Sequence, residues 1–101
     1  MQLRLGGVDL SAVIAAVCRD LNVDEKEMAS AARGFEVARA RAVVSHIATR
    51  ELSINGSEVA RRLHVDRSAV SRAAHRVGKD PDLIATARRI LGLLGSETSQ
   101  H

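Results

Sequence analysis

Tryptophan and tyrosine are absent from these 101 residues, and Phe35 is the only aromatic side chain. A core built without rings has to use Ala, Val, Ile and Leu, which favours slim helices in close approach. It argues against a sizeable cofactor cavity, since such pockets are usually lined with aromatics, and no cofactor is expected. Proline occurs once, at Pro81, so nearly the whole chain is free to be helical. Cysteine also occurs once, which leaves Cys18 without an internal disulfide partner. It falls in an apolar helical stripe, where a thiol behaves as a small hydrophobe. An inert core thiol is favoured over a reactive one, because no motif surrounds it. No apolar run approaches the roughly 20 residues of a bilayer span, and no secretory leader is legible. A soluble cytoplasmic protein with no membrane partner is expected.

Apolar residues nevertheless make up 46% of the chain, enough for the core of one domain at this length. Charge is concentrated in one region. From Arg33 to Lys79 ten Arg or Lys stand against four acids, a net of +6, while the rest of the chain carries five basic and eight acidic residues, a net of −3. Nine of the ten central cations are Arg, the side chain whose planar fork suits phosphate and guanine. A solvated basic face is the alternative that charge by itself leaves open.

The spacing of apolar residues predicts an all-α protein of about six helices. Leu10, Val13, Ile14, Val17, Cys18 and Leu21 recur at helical intervals on one face, with Asp9 as N-cap and Asn22 as the break. Asp24 opens a short acidic helix over residues 24–32, with Gly34 as its C-cap. A longer helix is predicted over 36–52, with Val37, Ala40, Val44, Ile47 and Ala48 on its buried side, Val43 and Leu52 flanking, and Glu51 the one break in the stripe. Asn55 and Glu58 read as a capping box for a helix over 56–63. Asp66 caps the next, over 67–77. Asp80 as N-cap and Pro81 at the first helical position start the last one, which Gly95 ends. One domain over 8–95 and a frayed polar tail over 96–101 are expected.

The pair of helices over 56–77 carries the functional reading. In a helix-turn-helix two helices cross at a fixed angle, and burying their interface demands apolar residues at set steps of a unit of roughly twenty residues. With Gly56 first, the steps normally apolar hold Val59, Leu63, Val65, Val70 and Ala73, and the step that must be small is Ala60. The turn step, usually a glycine with positive φ, is His64, which tolerates that backbone better than most residues. A plain helical hairpin imitates part of this pattern, so the outward positions decide between the two. With Val70, Ala73 and Val77 buried, the second helix presents Arg67, Ser68, Ser71, Arg72 and His75. A recognition helix sets such residues on base edges in the major groove, where Arg67 and Arg72 suit guanine O6 and N7 and the serines reach bases or phosphate. Arg61 and Arg62 on the first helix are placed to meet backbone phosphate. Arg33 precedes the long helix, with Arg39 and Arg41 on that helix's first turns, and a loop arginine there suits an adjoining minor groove. Taken singly, each Arg reads equally well as solvated surface. The clustering carries the assignment.

In this order the elements resemble the C-terminal DNA-binding domain of the bacterial replication initiator DnaA, a fold related to the tryptophan repressor, over about Val8 to Leu94. Val37-Ala38-Arg39-Ala40-Arg41 is similar to the segment after that family's basic loop, and Arg33 falls where the family inserts an arginine into the minor groove. Asp66, Arg67, Ser68 and Ala69 fall on the family signature Asp-His-Thr-Thr, of which Asp66 alone is identical. A closer likeness is to the DnaA-like domain that follows the catalytic domain in some REP-associated tyrosine transposases. Arg4-Leu5-Gly6-Gly7-Val8-Asp9-Leu10 looks like its lead-in, and Ser57-Glu58-Val59-Ala60-Arg61-Arg62-Leu63 and Arg67-Ser68-Ala69-Val70-Ser71-Arg72-Ala73 look like its core. The resemblance implies double-stranded DNA as partner, with Arg33, Arg39, Arg41, Arg61, Arg62, Asp66, Arg67, Ser68, Ser71, Arg72 and His75 at the contact, in the targeting domain of a transposase or an initiator-like protein.

Other classes are weighed against this. Acidic patches over residues 20–27 and 80–82 suit a helical protein-interaction or dimerisation module. A free-standing transcriptional regulator is a further variant, although no corepressor site is legible. An enzyme is disfavoured: His46, His64, His75 and His101 have no metal spacing, no metal is expected, and neither a nucleophile–base pair nor a phosphate-gripping Gly-rich loop is present. His46 reads as core or rim of the long helix.

Overall fold

The computed structural model describes residues 9–28 and 34–98, the last three as backbone alone. Among them run six α-helices: α1 (Leu10–Leu21), α2 (Glu25–Met28), α3 (Phe35–His46), α4 (Gly56–Leu63), α5 (Arg67–Gly78) and α6 (Pro81–Thr98). Helix α3 continues directly into a π-helical turn, Ile47–Glu51. No strand occurs among the described residues, and the protein is the all-α bundle that its periodicity predicts.

Local chemistry sets most helix ends. The Ala12 N–H donates to Asp9 Oδ1 at 2.9 Å and closes the start of α1, while Asn22 ends it in the left-handed region at φ 58°. Asp24 receives the Lys26 N–H at 2.9 Å and opens α2. The predicted helix over 24–32 is described only to Met28, since residues 29–33 lie outside the described residues. Gly34 takes the N-cap position of α3 at φ 151° and ψ 153°, rather than acting as a left-handed C-cap. That backbone is open essentially to glycine alone. Asp80 Oδ1 accepts from the Asp82 and Leu83 N–H groups at 3.0 and 3.3 Å, as its capping role requires. Helix α6 passes through Gly95 to Thr98. Gly95 does not adopt the positive φ of a C-cap, and a helical glycine near an end costs only about 1 kcal/mol relative to Ala. The expected polar tail is therefore helical over 96–98, and residues 99–101 lie outside the description.

Helix α3 is the central element and touches all the others. Ala40, Ala42, Val43 and Val44 are wholly buried there; two of the four are alanines, which lets neighbouring backbones come close. Buried residues from Leu10 on α1 to Leu94 on α6 join around it in one apolar cluster. Cys18 belongs to this cluster, and its thiol is pushed up to about 11 by desolvation, with Glu25 and Asp24 adding to the shift. That keeps it protonated, a core side chain rather than a nucleophile.

The π turn resolves the one break in the stripe of the long helix. Ser45 Oγ donates to the Arg41 carbonyl at 2.8 Å, and Thr49 Oγ1 donates to the Ser45 carbonyl at 2.7 Å. Hydroxyls bonded back to i−4 carbonyls compete with the helical ladder and bend it. The Leu52 N–H then reaches the Ile47 carbonyl at 3.0 Å, five residues back. One extra residue in that turn brings Leu52 inward over Ile47 and turns Glu51 out to solvent. His46 sits at the rim, its side chain 13% exposed and its Nε2 3.5 Å from Glu51 Oε2. Among the described residues no helix is long and apolar enough to cross a membrane.

Candidate nucleic-acid interface

Helices α4 and α5 form the unit on which the functional reading rests. Asn55 caps α4 by accepting the Ser57 N–H at 2.7 Å. Asn55 is thus the N-cap, but the predicted capping box is not formed: its side chain meets Ser57, and the Glu58 N–H donates instead to the Asn55 carbonyl at 3.0 Å. The turn that follows is a Schellman motif with histidine in the glycine position. His64 lies at φ 58° and ψ 44°, its N–H donates to the Arg61 carbonyl at 3.4 Å, and the Val65 N–H donates to the Ala60 carbonyl at 3.0 Å. These are the paired bonds of that motif, and they fix the angle at which the chain enters α5.

A left-handed backbone costs an L-residue about 1–2 kcal/mol, partly offset for glycine by its greater unfolded-chain entropy. His64→Gly is therefore expected to leave stability level or raise it by up to about 1 kcal/mol. His64→Val, with a branched Cβ, should lower it by about 1–2 kcal/mol. Urea titration of both variants checks this, and a Val variant as stable as the parent would contradict the turn geometry.

Within α5 the buried residues are Val70, Ala74 and Val77. Ala73, predicted to be buried, is only partly so, as is Val65 in the turn. The shift matters because it rotates the exposed arc. At 3.6 residues per turn, Ser71, His75, Ser68 and Arg72 occupy its middle, with Arg67 and Arg76 at opposite edges, and all six are exposed. No acidic residue lies on this helix. Arg67 lies back across the start of α4, its Cγ and Nε each 3.9 Å from where a Cβ on Gly56 would stand. Arg72 and Arg76 border a cleft between α3 and α5, together with Ala38, Arg41 and Ser45. Asp66 stands at the N-cap position, but its carboxylate accepts no capping hydrogen bond and is exposed. The predicted side-chain cap is therefore not made; the Asp66 carbonyl only accepts the first bond of the helix ladder, from the Val70 N–H at 3.2 Å.

The predicted cations divide into two groups. Arg61 on α4 and Arg67 and Arg72 on α5 are exposed on the unit itself, and Arg39 is half-buried near the start of α3. Two others are engaged elsewhere. Arg41 Nε donates to the Met28 carbonyl at 3.0 Å and Arg41 Nη2 to the Glu27 carbonyl at 3.3 Å, holding the end of α2 against α3. Arg62 Nη1 donates to Ser11 Oγ on α1 at 3.1 Å. Arg33 and the lead-in over residues 4–8 lie outside the described residues. Arg76 went unnoticed in the sequence because taking Ala73 as buried turns its side of the helix inward; its i+4 relation to Arg72 is the signal that finds it. Among the described residues no group of three His, Cys, Asp or Glu is placed to hold a metal ion.

The chain matches no protein-family model, no curated protein and no solved structure.

Proposed function

We propose that this protein binds double-stranded DNA, with α5 lying in the major groove and the start of α3 directed to an adjoining minor groove. The observation that carries the proposal is the exposed arc of α5: short hydroxyl donors and Arg72 in the middle, Arg67 and Arg76 at the edges, and no carboxylate on the helix. Small donors allow close approach to base edges, and the forked cations beside them suit guanine or phosphate. The neighbouring Arg39 and Arg61 extend the positive surface. On the resemblance to DnaA-like domains, Arg33 adds the minor-groove contact, and the role is that of a targeting domain in a transposase or an initiator-like protein.

Binding of this kind releases counterions. With Arg39, Arg61, Arg67, Arg72 and Arg76 neutralising about four or five phosphates, the logarithmic slope of affinity against salt is about −4. Polarisation titrations of a labelled duplex should therefore show roughly a hundredfold loss or more between about 50 and about 200 mM salt. A flat response at low salt, or binding that ignores salt, overturns the proposal.

A further inference from the structure

The chain's only aromatic ring is not in its core. Phe35, the first residue of α3, is 77% exposed, although the aliphatic core around α3 is closed. An isolated exposed apolar residue needs no explanation, but this one has specific surroundings. The Arg39 guanidinium carbon stands 5.8 Å from the ring centroid, within cation–π range, which limits the ring's freedom. Phe35 and Arg39 border a hollow of about 460 Å³ shared with Ala38, Arg76 and Leu83. Ala38 and Arg76 also border the cleft beside Arg72. The ring therefore stands at one end of a basic row that runs from Arg72 through Arg76 to Arg39. Asp80 and Asp82 line the same hollow. Asp80 is occupied in capping α6, and Asp82, like Glu36 beside Phe35, is exposed. These acids repel phosphate, so a nucleic-acid backbone at this end is held by Arg39 and Arg76 rather than by the hollow as a whole.

We propose that Phe35 is an apolar wedge that enters the bound duplex at the edge of the site and stacks on a base step, with Arg39 and Arg76 on the flanking phosphates. The inference rests on the DNA-binding reading above and adds a specificity element to it. Ring insertion unstacks a step and kinks the duplex, and pyrimidine–purine steps yield most easily. The wedge would select sites by deformability as well as by base edges.

The test uses the full chain. Phe35→Ala removes an exposed ring, so its thermal melt should match the parent's. Duplex affinity should fall about tenfold while the slope against salt stays unchanged, because an apolar contact releases no counterions. Phe35→Trp creates a protein with a single tryptophan, whose emission should be quenched on saturation with duplex as the indole stacks on bases. Unchanged affinity in the Ala variant, a reduced salt slope, or an unquenched tryptophan in a complex that polarisation shows to have formed overturns the wedge and leaves the DNA-binding reading standing. Failure of the parent protein to bind duplex removes both.

Discussion

Arg72→Ala is expected to weaken binding to a selected duplex by about 1–3 kcal/mol and to relax preference at one base pair, the loss associated with a bidentate guanine contact. Arg72 is the one cation in the middle of the exposed arc of α5, flanked by Ser68, Ser71 and His75. Arg67 has a different place. It lies back across Gly56, at the edge of the arc where a phosphate strand would pass. Its alanine variant should weaken binding to all sequences alike and reduce the salt slope by about 1. Arg41→Ala is the internal control, because its guanidinium is spent on the Met28 and Glu27 carbonyls. Removing it loosens α2 from α3, and the effect belongs in the melting curve rather than in the affinity of the folded protein. Polarisation with the selected site and a scrambled one separates the three. An Arg41 variant that stays folded yet binds as poorly as the Arg72 variant would mean that the contact face has been placed on the wrong side of α5.

How much of this was readable in advance depends on whether the determinant was local. Helix ends at Asp9, Asn22, Asn55, His64 and Asp80 follow from the chemistry of one to four adjacent residues, and each stands where the sequence puts it. The rotation of α5 was not readable, because Ala73 and Ala74 are chemically identical and periodicity cannot choose between them. Nor was the π turn, beside which the Ser45 and Thr49 hydroxyls bond back to carbonyls four residues earlier; its only sequence trace was Glu51 in an apolar stripe. The partners of Arg41 and Arg62 are 13 to 51 residues distant in the chain, so spacing could mark these cations as exposed candidates but not as already engaged. Phe35 entered the sequence reading as a scarcity and emerged as a surface feature, since composition counts a ring without locating it.

The largest change in stability is expected from Leu63→Ala, at about 2–5 kcal/mol. Helix α4 has eight residues, too few to persist alone in water. It is held by its three buried side chains, Val59, Ala60 and Leu63. Leu63 is 1% exposed and stands immediately before the His64 turn, where it walls the α3–α5 cleft with Val65, Val70 and Ala73. Collapse of the surroundings cannot easily refill that space, because Val65 and Val70 are fixed by the Schellman turn and by the helix that follows it. Domains of this size hold only about 5–15 kcal/mol in total, so the variant should lose a large share of its stability. In urea the midpoint should fall with the slope unchanged. Leu93→Ala, at a side chain 52% exposed on α6, should stay within about 0.5 kcal/mol, which sets the background for the comparison. Because Leu63 faces inward and Arg72 outward, the two variants should also differ in binding. At low temperature the folded fraction of the Leu63 variant keeps the parent's salt slope, whereas the Arg72 variant melts like the parent and binds more weakly. A Leu63 variant costing less than about 1 kcal/mol would show that α4 is not held on α3 and α5 by this side chain, and the angle at which α5 is presented would then need another source.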